Sequence, residues 1–330
     1  MDVFSVGIIG VGSVGKRHAK VFSSLGADVT VLGVVDTNGD NAARIAEEIG
    51  TKYYTDYRDL LSFVPDLVVI CTPHFLHREI GEAAAKAGCH ILMEKPLAHT
   101  MEDAIALQEV CRKENVQLAV SFVHRYRQEF TRAQQLIAAG EVGTLQMSVD
   151  IFGSPGGRYI PSWIWQNKYS GGGIVMYSGI HSIDWQCWLM GSDVANVFAH
   201  SLSTYKGSDV EDGIAATLQF ENGSIGTLIG NQPDYPIESR TRNTELYGTK
   251  GCIRLRMGEY LQFDSGDCSY KINIARDEPF IAQALDVVDA IREGRTPWIG
   301  GRDGLRAQAI IAALYKSADT GKPEAVEKVE

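Results

Sequence analysis

At 330 residues the chain is longer than one hydrophobic core ordinarily supports, so two domains are expected. Its composition, 45% hydrophobic and 22% charged, is that of a globular protein in water, and no apolar run is long enough to cross a bilayer, so no membrane role is expected. With 41 acidic against 31 basic side chains the formal charge is −10, which disfavours the phosphate backbone of a nucleic acid as a partner.

The first element is the apolar run Val6-Gly7-Ile8-Ile9, read as a buried strand and followed at once by Gly10-Val11-Gly12-Ser13-Val14-Gly15. Three glycines at this spacing suit a phosphate-cradling turn. The first permits the tight bend, the second lets backbone approach a pyrophosphate, and the third lets the next helix pack close to the strand. N–H groups at the start of that helix, around Ser13 and Val14, would face the negative charge. A second apolar run, Val29 to Val35, ends in Asp36, 21 positions beyond Gly15. A carboxylate there can accept both ribose hydroxyls of an adenosine and would repel the extra phosphate of NADP. Thr37 and Asn38 bring no cation to offset that repulsion, and Arg44 is the nearest one that could, so NAD is expected over NADP. The amino terminus enters this strand almost directly, without the basic, apolar and small-residue sequence of a secretory signal, so a cytoplasmic protein is expected.

The parallel-sheet pattern continues with Leu67 to Cys71, closed by Thr72-Pro73, and with a helix that stops at Gly88. His74, His77 and Glu79 stand near one another here, but histidines three apart on a helix are usually incidental and no metal is expected. The strand His90 to Met93 runs into Glu94-Lys95-Pro96. Thr100 and Asp103 then form a box-like start for a helix ending near Glu114, and Gln117 to Phe122 supplies a last parallel strand. These residues, 1–122, are expected to form a doubly wound dinucleotide-binding domain. The six cysteines are scattered and are expected to be free thiols.

From residue 123 to 330 the period changes. Leu145 to Ile151 and Ile214 to Phe220 alternate apolar and polar residues, as half-buried antiparallel strands do, and Asn222-Gly223 is a hairpin signal leading into Ile225 to Ile229. Further strands are expected at Thr244 to Tyr247, Cys252 to Leu255, Tyr260 to Phe263 and Tyr270 to Ile274. The result is an open, mostly antiparallel sheet for substrate binding and oligomerisation, with closing helices within 280–318 packed back on the body. A second copy of the chain is the simplest cover for the outer face of such a sheet, so a homo-oligomer is expected.

The glycine turn, Asp36, Thr72-Pro73, Glu94-Lys95-Pro96, and Gly171-Gly172-Gly173 leading to Gly179-Ile180-His181-Ser182-Ile183-Asp184 together resemble the Gfo/Idh/MocA family of oxidoreductases. The likeness extends to the tail, at Ala290 to Arg295 and Gly301 to Ala307. It implies an NAD(P)-dependent dehydrogenase or reductase acting on a sugar, cyclitol, related polyol or dihydrodiol. The cofactor set on this reading is Gly10, Gly12, Ser13, Val14, Gly15, Asp36, Thr72, Pro73, His77, Glu94, Lys95 and Arg125.

Oxidising a secondary alcohol needs a base for its proton and a cation for the developing alkoxide. Lys95, at the carboxyl end of a central parallel strand, suits the second task. His181 suits the first, since an imidazole exchanges protons near neutral pH. Asp184, three positions on, can orient that ring, and Tyr177, four positions back, can share the same helix face. Many members of the family have an aspartate where this chain has Tyr177, so the phenol either donates to substrate or reshapes the pocket, and Lys95, His181, Tyr177 and Asp184 form the catalytic set. Substrate contacts are expected from Lys95, His124, Arg125, Tyr126, Tyr159, Trp163, Trp165, Tyr177 and His181, with Tyr235 and Arg240 as weaker candidates. In related enzymes an arginine at the position of Arg125 lies near cofactor and substrate. Two rivals stand beside a dehydrogenase: an enzyme that oxidises, eliminates and re-reduces a glycoside with no net redox change, and a sensor that binds dinucleotide without turnover.

Overall fold

The computed structural model describes residues 3–153, 160–232, 241–275 and 277–329. It divides into two compact units, Met1–Val123 with Glu278–Leu305, and His124–Asp277 with Arg306–Glu330.

In the first unit, strands β1 (Phe4–Ile9), β2 (Val29–Val35), β3 (Lys52–Tyr54), β4 (Leu67–Ile70), β5 (His90–Met93) and β6 (Leu118–Val120) form one sheet in the order β3-β2-β1-β4-β5-β6. All its pairs are parallel. Strand β4 shows why the sequence reads as unbroken apolar runs: every residue from Leu67 to Ile70 is buried, as helices on both faces require. Those helices are α1 (Ser13–Ser23), α2 (Gly39–Ile49), the short α3 (Tyr57–Leu61), α4 (His77–Lys86) and α5 (Met101–Lys113). The expected cap of α5 is present, with Thr100 Oγ1 accepting from the Asp103 N–H at 3.1 Å. The order of strands reverses between β1 and β4, and ligands of open α/β sheets bind at the carboxyl ends of strands flanking such a point. Gly10–Gly15 and Cys71–Pro73 are the two loops that leave those ends.

The second unit holds α6 (Gln128–Ala138), β7 (Leu145–Gly153), α7 (Asn167–Ser170), α8 (Ile180–Met190), β8 (Val194–Leu202), β9 (Gly213–Phe220), β10 (Ile225–Asn231), β11 (Thr241–Gly248), β12 (Gly251–Arg256), β13 (Tyr260–Ser265) and β14 (Ser269–Asn273). These strands, joined by a two-residue strand near the carboxyl end, make a nine-stranded sheet in the order β14-β13-β12-β11-β7-β10-β9-β8. Every pair is antiparallel except β7 with β10. The Asn222-Gly223 hairpin is where the sequence puts it, with Gly223 at φ 85°. Along β9 buried and exposed residues alternate, Ala216, Leu218 and Phe220 inward and Ala215, Thr217 and Gln219 outward. Helix α8 packs on β7 and β10, and α6 on β12 and β13. The opposite face leaves Ile151, Leu202, Ile225 and Ile229 exposed, around a depression of about 690 Å³ lined in part by His200, Leu202, Ile229 and Asn231.

Helix α9 (Pro279–Glu293) belongs to the first unit, where Phe280, Ala284, Val287 and Val288 join Phe4, Ala19 and Phe22 in its core. The chain therefore re-enters the first unit after leaving it near residue 122. Helix α10 (Gly301–Thr320) starts among first-unit residues and ends among those of the second, whose last strand, β15 (Glu324–Ala325), pairs with β8.

Candidate active site

In the first unit two of the turn's three glycines are required by the protein itself. Gly10 has φ 83°, and a Cβ on it would stand 2.8 Å from the Cys71 carbonyl oxygen. A Cβ on Gly15 would fall 1.8 Å from the Gly10 carbonyl oxygen, so α1 can start this close to β1 only with glycine there. At Gly12, which is exposed, a Cβ would meet no atom within 4 Å, so nothing in the protein itself demands a glycine there. The first turn of α1 carries no acidic residue, and Ser13 and Val14 are exposed. Asp36 is fixed rather than loose: its Oδ2 accepts from the Val11 N–H at 3.1 Å and from Asn41 Nδ2 at 3.1 Å, and its Oδ1 from the Asn38 N–H at 2.9 Å. Arg44 is turned to Asn41 Oδ1, 2.8 Å away, and to Glu48. These features fit the diphosphate and ribose of a dinucleotide.

Beside this turn, the Thr72 hydroxyl is buried with no hydrogen-bond partner among the described residues. His77 is fully buried, its Nδ1 2.9 Å from the Pro96 carbonyl oxygen and its Nε2 2.9 Å from that of Thr72. Burial pushes its imidazole below the usual histidine range, against the two carbonyls. The ring thus ties the Thr72-Pro73 turn to the Lys95-Pro96 turn, and its nitrogens are spent on the protein itself. Glu79 goes elsewhere, accepting from Tyr57 Oη at 2.8 Å. Glu94 is likewise engaged internally: Oε1 lies 3.0 Å from His18 Nε2, and Oε2 accepts the Lys95 main-chain N–H at 3.2 Å. Burial pushes the Glu94 carboxyl up, but His18, the Lys95 charge and Ser121 outweigh it and hold the group below the usual carboxylate range. Lys95 lies two residues past the end of β5, immediately after this ionised carboxylate.

In the second unit, π-helical turn Val175–Gly179 precedes α8. Tyr177 lies in that turn and His181 in the helix, so the shared α-helical face expected for Tyr177, His181 and Asp184 is not the geometry present. Tyr177 is the one residue from Gly172 to Cys187 that is not buried. His181 is 7% exposed and meets the ring of His124 edge-on, centroids 4.4 Å apart, with Trp185 on the other side of His124 at 5.9 Å. Asp184 is committed to Arg125, whose Nε donates to Oδ2 at 2.8 Å and whose Nη2 donates to Oδ1. Both are almost wholly buried, so Asp184 serves Arg125, whose guanidinium lies 5.7 Å from the centre of the Trp188 ring. Trp163 is half-buried; Trp165 is buried and stacks on Tyr205 at 4.5 Å. Tyr159, Tyr235 and Arg240 lie outside the described residues.

The sequence comparisons bear on both units. The model for the oxidoreductase family with an NAD-binding Rossmann fold matches residues 4–122, and that for the GFO/IDH/MocA C-terminal domain matches residues 130–254. The chain belongs to the Gfo/Idh/MocA family. It is 28% identical to D-glucoside 3-dehydrogenase of Escherichia coli (strain K12), covering 96% of this chain and 95% of that one. It is 25% identical to myo-inositol 2-dehydrogenase of Thermotoga maritima, covering 98% and 99%. Among solved structures, levoglucosan dehydrogenase in complex with NADH and levoglucosan superposes with a TM-score of 0.91 at 25% identity, covering 99% of this chain and 100% of that one. This Gfo/Idh/MocA chain is thus an NAD-binding oxidoreductase, as its turn and Asp36 suggest.

Three supports of the site in this Gfo/Idh/MocA member have no local signature in the sequence. Glu211, ahead of β9, accepts the N–H of Gly173 at 2.8 Å, the N–H of Val175 at 2.9 Å and the Tyr315 hydroxyl at 3.0 Å, which locks the glycine triplet and the start of the π turn. Gly173 has to be glycine because a Cβ would stand 1.8 Å from the Glu211 carbonyl oxygen. Arg242 on β11 donates to Ser178 Oγ at 2.9 Å and to the Ser178 carbonyl at 3.3 Å. His18 is the third. A charged pair of residues before a strand and an arginine within one were visible, but their targets were not.

Proposed function

We propose that this oxidoreductase moves a hydride between NAD and the CH–OH carbon of a sugar, cyclitol, polyol or dihydrodiol, with Lys95 and His181 as its catalytic pair. The observation that carries the reading is the place of Lys95, two residues past the carboxyl end of parallel strand β5 and beside the ionised Glu94, in a chain similar over nearly its whole length to dehydrogenases of a glucoside and an inositol. The described residues that would hold NAD are the Gly10–Gly15 turn and Asp36, with the Thr72 hydroxyl as a further donor. NAD, when bound, supplies the hydride acceptor. In the oxidative direction the Lys95 ammonium holds the substrate oxygen and stabilises its developing negative charge, while a His181 ring nitrogen accepts the hydroxyl proton. Arg125 is fixed by Asp184 next to His124 in the chain, and Tyr177 reaches substrate through its phenol. The exposed face of the second unit's sheet, with Ile151, Ile225 and Ile229, supports a homo-oligomer built through that face. Six unpaired cysteines support a reducing, cytoplasmic setting.

The test is a titration of NADH and NADPH by nicotinamide fluorescence, followed by a screen of myo-inositol, methyl glucosides, levoglucosan and a dihydrodiol for nicotinamide absorbance change. Lys95→Ala is expected to bind NADH as the wild type does and to lose about 10²–10³ in kcat, the usual effect of removing one group that stabilises a developing oxyanion. Turnover that survives the replacement overturns the role of Lys95.

A further inference from the structure

Helix α1 carries a buried histidine that dinucleotide binding does not account for. His18 is 1% exposed, lies edge-on to Phe280 with centroids 5.0 Å apart, and places Nε2 3.0 Å from Glu94 Oε1. Its Nδ1 is buried with no hydrogen-bond partner among the described residues. Against Phe22 and Phe280 an apolar side chain would fill the same space without leaving a nitrogen unsatisfied, so packing does not explain an imidazole here. What the imidazole alone supplies is the bond to Glu94. Since a carboxylate only accepts, Nε2 is the donor.

Glu94 in turn holds Lys95, by accepting its main-chain N–H and by facing its charge. We propose that His18 is a positioning residue for the reaction: by donating to Glu94 it fixes the carboxylate that anchors the Lys95 backbone and balances its ammonium, so that the helix beginning at the dinucleotide turn also sets the lysine. This rests on the role of Lys95 given above. The other titratable groups that face Glu94 are Cys71, just past the end of β4 and half-buried, and His77, from α4 and buried. Neither donates to Glu94 in place of His18.

Without the His18 bond, burial is opposed by less, and Glu94 takes up a proton at higher pH than in the wild type. The Lys95 N–H then loses its acceptor, and the ammonium its counter-charge, as pH falls through that value. His18→Phe keeps a ring between Phe22 and Phe280 but cannot donate, whereas His18→Gln keeps a donor. The experiment follows the Glu94 side-chain carboxyl by ¹³C NMR across pH in wild type and both variants, assigned with Glu94→Gln. NADH affinity and the pH profile of kcat are measured on whichever compound of the screen the wild type oxidises. In His18→Phe we expect the Glu94 titration and the acid limb of kcat to move together to higher pH, kcat at neutral pH to fall about tenfold, and the NADH Kd to stay within about twofold, an energetically small change. His18→Gln is expected to recover most of the loss. A Glu94 titration unmoved in His18→Phe, or an equal loss of kcat and NADH affinity in both variants, overturns the inference. Lys95→Ala keeps the two readings apart: if it remains active the lysine's role falls, and if it is inactive while His18→Phe behaves as wild type only the inference falls.

Discussion

Replacing Asp184 by alanine removes a carboxylate that accepts two bonds from the Arg125 guanidinium, and the structure fixes what that costs. Arg125 is 3% exposed and Asp184 2%, so water cannot take over the lost partner. Two charge-assisted bonds disappear, one of them 2.8 Å from Nε to Oδ2, and a guanidinium stays buried. Breaking one side of a buried pair costs about 3–5 kcal/mol, most of it from the charge left behind. For a unit of this size that is a fall in unfolding midpoint of roughly 6–20 °C. Differential scanning calorimetry reads it directly. The exposed pair of Arg58 with Asp56 is the control, because solvent screens it and Arg58→Ala should leave the midpoint unchanged. Joint replacement, Asp184→Leu with Arg125→Met, should recover much of the loss, since apolar residues of similar volume often replace a buried ion pair without penalty. A fall below about 2 °C in Asp184→Ala, or a double variant as unstable as the sum of the two single ones, would refute this reasoning. It would return Asp184 to the task the sequence suggests for it, orienting the His181 ring.

The dinucleotide turn separates two kinds of glycine. Gly15→Ala should unfold the turn, at a cost of about 1–3 kcal/mol or more, and abolish the NADH fluorescence change, because its Cβ would overlap the Gly10 carbonyl oxygen. Gly12→Ala meets nothing within the protein, so its midpoint should match the wild type while NADH binding weakens at least tenfold, about 1.4 kcal/mol. Glu211→Gln should lower stability by about 1–3 kcal/mol, since the amide turns a donor towards Gly173, Val175 or Tyr315. Burial raises the Glu211 carboxyl above its ordinary value of 4.5, so the folded state holds that proton more tightly than the unfolded one. Its contribution is therefore full below 4.5 and is lost as pH rises through the raised value. Thermal midpoints recorded across that window should decline in the wild type and decline less in Glu211→Gln.

Strands β4 and β5, the Gly10–Gly15 turn and the β9–β10 hairpin were legible because each is encoded locally, in a run of apolar residues or a turn that only certain residues can make. Strand β3 escaped because three residues at a sheet edge, Lys52, Tyr53 and Tyr54, carry no period. Strand β8 escaped because a bulge between Val194 and Asn196 breaks its alternation, so that Val194 and Val197 are both buried. A face shared by Tyr177, His181 and Asp184 presumes a continuous α-helix, whereas Tyr177 sits in a π turn that no local pattern announces. The partner of Asp184 lies 59 positions away and that of His18 76 positions away, and no local pattern specifies contacts of that range.

Those distant pairs share one physical logic. Asp36, Glu94, Asp184 and Glu211 are carboxylates taken wholly or partly out of water, and each is matched by donors from a different part of the chain: the β1 turn, α1 and the start of Lys95, Arg125, and the glycine triplet. A carboxylate removed from water is tolerable only if its acceptor sites are filled, and filling them fixes the loops that supply the donors. An apolar contact at the same positions would bury as much surface but would let those loops slide, because dispersion has little directional preference. Orientation at a reacting carbon tolerates displacements of only a fraction of an ångström, which a packed core alone does not guarantee for residues on loops. Stability and chemistry therefore depend on different side chains here. Glu94, Asp184 and Glu211 carry no proposed step of the reaction, and yet their removal is expected to release the donors that they hold.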